Sequence, residues 1–182
     1  VTKYEFDKYF YSETEMAVVD DSQVLVTLKS TEPSAHSEQR CLALFFFDGK
    51  QLQLQWRVDM DGVRPFLSPV YDGTHVLVAA KDQSTVDLWN IQTRVIEKQY
   101  KRQWKKAGAH YAMTTVQGQR YVVGGYGGGI AVWHAERATE VVTSEEPEFI
   151  PRFTLVNPQK PWEFITHTED DDTITLYDFY AI

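Results

Sequence analysis

The sequence predicts an all-β fold of four repeated, four-stranded antiparallel units, on three observations. Phe45, Trp89, Trp133 and Tyr177 stand 44 residues apart along the chain. Each lies in a short β-prone run that follows a second such run across a polar or glycine-rich turn, the pattern of a hairpin. No stretch carries a 3.6-residue apolar period, so nothing in the chain asks for a helix.

The elements follow in order. In the first unit, spanning about residues 12–57, MAVVD is a strand candidate and Asp20-Asp21-Ser22 a turn. VLVTL is the second strand, the long polar segment from Lys29 to Arg40 a loop, LALFFF around Phe45 the third strand and QLQLQW the fourth. The second unit, about 64–101, repeats this with SPVYD, the turn Asp72-Gly73-Thr74, VLVAA, the run ending in Trp89, and RVIEKQY. In the third, about 108–144, the series is AMTTV, Gln117-Gly118-Gln119, YVVGG, the run ending in Trp133, and TEVVTS. The fourth, about 150–182, offers FTLVN, Asn157-Pro158-Gln159, EFITH and the run holding Tyr177, with no fourth strand after it. Residues 1–11 read as a spare strand able to complete a blade.

A sheet of this size cannot bury both of its faces alone, and stacking such sheets around an axis solves the problem. The predicted architecture is therefore a set of β-propeller blades. At this point the chain resembles the WD40 repeat family. Asp171-Asp172-Thr173-Ile174-Thr175-Leu176-Tyr177-Asp178 is similar to that family's Asp-Gly-Thr-Val-x-Leu-Trp-Asp ending, with Tyr in place of Trp. His110 stands 23 residues before Trp133, resembling the Gly-His to Trp-Asp spacing, although Ala109 replaces the glycine and His134 the aspartate. Trp89-Asn90-Ile91-Gln92-Thr93 resembles the Trp-Asp-Leu-x-Thr stretch. The resemblance implies that the aromatics pack between blades and that His110 and Asp171 hold local hydrogen bonds, as fold positions. Six to eight blades are the family's expectation, so part of a larger ring or an assembled partial ring is expected here, with a compact four-bladed unit as the alternative.

Composition narrows the function. With 43% apolar and 14% aromatic residues, the 182-residue chain can bury a real core. Eighteen basic against 26 acidic residues give a net charge of -8, which repels a phosphate backbone unless a local basic patch overrides it. Cys41 is the single cysteine, which leaves neither an intrachain disulfide nor a cysteine-based zinc site. The longest apolar run, Cys41 to Phe47, is far short of the roughly twenty residues that span a bilayer as a helix. The opening residues lack the basic and apolar regions of a secretory signal. An intracellular location, cytoplasm or nucleus, is the expectation.

One segment breaks the acidic background. Lys98, Lys101, Arg102, Lys105 and Lys106 crowd around Tyr100 and Trp104 on the link between the second and third units. Such links reach a face used for binding, and aromatic side chains among cations suit an acidic peptide, a phosphorylated partner or RNA. The bland alternative is a solvated loop with Trp104 tucked beneath it.

Other clusters read as structure. Glu169, Asp170, Asp171 and Asp172 could hold a hard cation, but the glycine and distal glutamate of a calcium loop are missing. Glu145, Glu146 and Glu148 form a linker. Gly124-Gly125-Tyr126-Gly127-Gly128-Gly129 is followed by a strand, not the helix a phosphate loop requires, so it reads as a tight hairpin. The five histidines are scattered over different units, with no nucleophile elbow or metal-binding spacing. The expected function is a non-catalytic protein-interaction scaffold within a multi-subunit complex, needing no cofactor or metal. A small-ligand or hydrolytic propeller and an RNA-associated propeller using Lys98 to Lys106 are the alternatives.

Overall fold

Alternation of apolar side chains along short runs is what commits this chain to sheets. In the strand QVLVTLK, Val24 and Val26 point to one face and Leu25 to the other, and both faces carry apolar groups that must be covered. The computed structural model describes residues 15–29, 40–60, 65–80, 85–101, 110–126, 129–145, 151–168 and 173–180. Among them there is no helix, and none therefore is long and apolar enough to cross a membrane.

Four antiparallel sheets form in chain order. The first contains β1 (Met16–Val18), β2 (Gln23–Lys29), β3 (Arg40–Phe47) and β4 (Leu52–Asp59). The second contains β5 (Pro65–Leu67), β6 (His75–Ala80), β7 (Thr85–Asn90) and β8 (Val95–Lys101). The third contains β9 (Tyr111–Val116), β10 (Gln119–Tyr126), β11 (Gly129–His134) and β12 (Thr139–Glu145). The fourth has three strands, β13 (Pro151–Asn157), β14 (Lys160–Thr168) and β15 (Ile174–Asp178). Each sheet is a meander whose strands are hydrogen-bonded in sequence order, as in a propeller blade.

The 44-residue period has a structural counterpart. Phe45, Trp89, Trp133 and Tyr177 occupy the third strand of successive sheets, opposite Val24, Val76, Val122 and Phe164 of the second strand. In the first three sheets the ladder to the fourth strand shifts register immediately before the aromatic, between Leu44 and Phe45, Leu88 and Trp89, and Val132 and Trp133. A bulge there adds twist and lets the large ring lie against the neighbouring sheet.

Contacts between sheets run from first to second, second to third and third to fourth, through the first and second strands, and no closed ring forms among the described residues. Each joint has its own apolar cluster. Leu25, Leu42 and Leu44 meet Val76, Val78 and Trp89 at the first. Leu77, Val86, Leu88 and Tyr100 meet Tyr111, Val122 and Trp133 at the second. Ala112, Val123, Ile130 and Val132 meet Phe164 and Tyr177 at the third. Side chains of this size contribute roughly 1.5–3 kcal/mol each when fully buried, so the joints, not the isolated sheets, hold the fold together. The periodic aromatic always faces the preceding sheet; Phe45 accordingly lies on the side of the first sheet turned away from the second.

One strand differs from the sequence expectation. SPVYD, Ser68 to Asp72, was expected as the first strand of its unit, but the strand is β5, three residues earlier. Pro69 has no N–H to give to a ladder. Ser68 finishes the pairing instead: its N–H donates to the Leu77 carbonyl (2.9 Å), and its hydroxyl oxygen accepts from the Leu77 N–H (2.8 Å). The chain then turns through Asp72, at φ 51°, and Gly73, at φ 70°.

Candidate functional site

The basic segment proposed from sequence begins on β8 and leaves it. Arg102, Trp104, Lys105 and Lys106 lie outside the described residues, as does Asp171. Tyr100 is corrected: it is fully buried in the second joint, and its hydroxyl donates to the Ala135 carbonyl at 3.1 Å. Alternation on a strand decides this, because Val86 and Leu88 across the sheet face the same joint as Tyr100. Burial, with the nearby Glu136 charge, pushes its phenol up to about 12, and it offers no surface to a partner. Lys101 is exposed at the end of the strand, and its carbonyl accepts from the Trp133 indole at 3.2 Å. Lys98 is engaged across the joint, where its ammonium meets the Glu136 carbonyl and lies 3.6 Å from the Glu136 carboxylate.

Glu136 belongs to a charged belt that the sequence did not reveal. Arg120 donates to Glu136 through Nε at 2.8 Å and through a terminal nitrogen, and lies 3.9 Å from Asp72 of the neighbouring sheet. Asp72 in turn stands 2.9 Å from His75 Nδ1, while His75 Nε2 is 3.1 Å from Glu97. Glu97 also accepts from the Asn90 amide at 2.8 Å. A neutral imidazole can donate to one of its two carboxylates at a time. Burial acts to raise the Asp72 carboxyl, but hydrogen bonds from Thr74 and His75 outweigh it and hold it below its ordinary range. Hydrogen bonds from Asn90 and His75 do the same for Glu97, and Arg120 does so for Glu136. Every one of these charges has an intrachain partner, which is the arrangement of a strut between sheets. The turn signal Asp72-Gly73-Thr74 marked the place; the partners, 22 and 48 residues away, had no local signature.

His110 precedes β9, half-buried, with its ring 5.6 Å from Phe66 in an edge-on contact. Burial lowers its pKa, and its carbonyl accepts from Thr154 of the fourth sheet at 2.9 Å. His110 also borders an open cleft of about 470 Å³ between the first strands, lined by Glu15, Met16, Val18, Ser68 and Val70. Glu15 there accepts from the Leu67 N–H at 2.7 Å. The cleft brings together one carboxylate already hydrogen-bonded to backbone, one imidazole and apolar walls.

The residue after the periodic aromatic has a clear local task. Asn90 Oδ1 accepts from the Gln92 and Thr93 N–H groups, both at 3.0 Å, and Asp178 Oδ1 from the Tyr180 N–H at 2.8 Å. These side chains close the turn after the third strand. The single cysteine, Cys41, is buried, which pushes its thiol up to about 11 and makes a thiolate scarce at neutral pH.

No family model and no curated protein sequence matches the chain. Solved structures do match. Among them is Kuenenia stuttgartiensis hydrazine synthase, at 15% sequence identity and a TM-score of 0.66. The likeness covers 99% of this chain and 49% of that one, so the chain spans about half the length of the structure it resembles. At this identity the likeness speaks to fold alone. Among the described residues, no three histidine, cysteine or acidic side chains are grouped to hold a metal ion.

Proposed function

We propose that this chain is a WD40-like propeller segment that acts as a non-catalytic scaffold, joining other proteins into a multi-subunit complex in the cytoplasm or nucleus. The observation that carries the reading is a division of labour. Charged groups in the belt are spent on one another across the joint, whereas large apolar side chains stand exposed on sheet faces, Leu155, Ile174 and Leu176 among them. Exposed apolar groups set on a rigid platform suit protein docking. Lys101 and the cationic residues that follow it, Arg102, Lys105 and Lys106, add an electrostatic contribution to partner choice.

The test is affinity capture with the purified chain beside a variant in which Lys101, Arg102, Lys105 and Lys106 are replaced by Ser, each at two salt concentrations. Stoichiometric recovery of protein that tolerates salt and falls with the variant is the expected result. Recovery of RNA with a steep salt dependence would replace the scaffold with a nucleic-acid reading. Unchanged recovery would remove the basic segment from the interface.

A further inference from the structure

We draw no further inference here: the strongest candidate, the open cleft between the first strands bordered by Glu15, Met16, Val18 and His110, carries nothing, because Glu15 already accepts from the Leu67 N–H and nothing in the structure shows what covers the apolar walls.

Discussion

The Trp133 indole reaches across the second joint to donate to the Lys101 carbonyl at 3.2 Å, whereas the Trp89 indole N–H, at the same point of the repeat one sheet earlier, is buried without an acceptor among the described residues. The two tryptophans fill equivalent places and differ in one hydrogen bond. A net hydrogen bond contributes about 1 kcal/mol, and a buried orphan donor costs a similar amount.

Trp133→Phe is therefore expected to destabilise the chain by about 1–2 kcal/mol more than Trp89→Phe, since both lose similar volume and only the first leaves a carbonyl unpaired. Urea titration of the two variants followed by far-UV dichroism measures the difference. Equal losses would show that Lys101 contributes nothing to the joint.

Gly124 sits on β10 where a Cβ would enter the ring of Tyr111 and come within 2.9 Å of the His110 carbonyl. Tyr111 is 1% exposed and packs 5.9 Å from the Trp133 ring, so it has no free space to move into. Gly124→Ala should cost about 1–3 kcal/mol, the usual range for overpacking a core. Its melting temperature and the near-UV signal of Trp133 should both change; an unaltered near-UV spectrum would mean that the tyrosine yields freely.

Stability should fall with pH in two stages. Burial lowers the His110 pKa below its ordinary 6.5, so the unfolded chain binds this proton more readily, and stability drops as pH falls through that value. Thr154, which meets its carbonyl, and the edge-on Phe66 ring leave that proton without compensation. His110→Gln should flatten the slope between pH 7 and 5. Asp72, Glu97 and Glu136 have folded pKa values held below 3.8, 4.5 and 4.5 respectively. Their stabilisation is present above those ordinary values and is lost as pH falls through the folded ones. Asp72→Asn with Glu97→Gln should reduce the acid-stage slope. Thermal melts across pH 7 to 3 on the three proteins separate the stages, and parallel curves would assign the pH dependence elsewhere.

The candidate site was less legible than the fold, for a physical reason visible in Lys98 and Tyr100. Both belonged to one basic, aromatic segment, and two positions apart on β8 they share the strand face turned toward the third sheet, so the fold engages both within the joint. Lys98 is tied to Glu136, 38 residues on, and Tyr100 is buried beneath Ala135. A run of like residues reads as one surface only while the chain is a line. His75, one of five scattered histidines in the sequence, gained two carboxylates because a turn and a neighbouring strand converge on it.

By itself the sequence determined that the fold is all-β, that the described residues form four sheets, and that the third strand of each carries an aromatic on a 44-residue period. Local alternation and turn chemistry carry that information, and both are properties of residues a few positions apart. Only the tertiary structure decided which face of each sheet is covered. Ile130 and Ile174 are the same residue at the same point of the repeat, yet one is 1% and the other 63% exposed. Burial depends on whether another sheet stands opposite, and no residue encodes that alone.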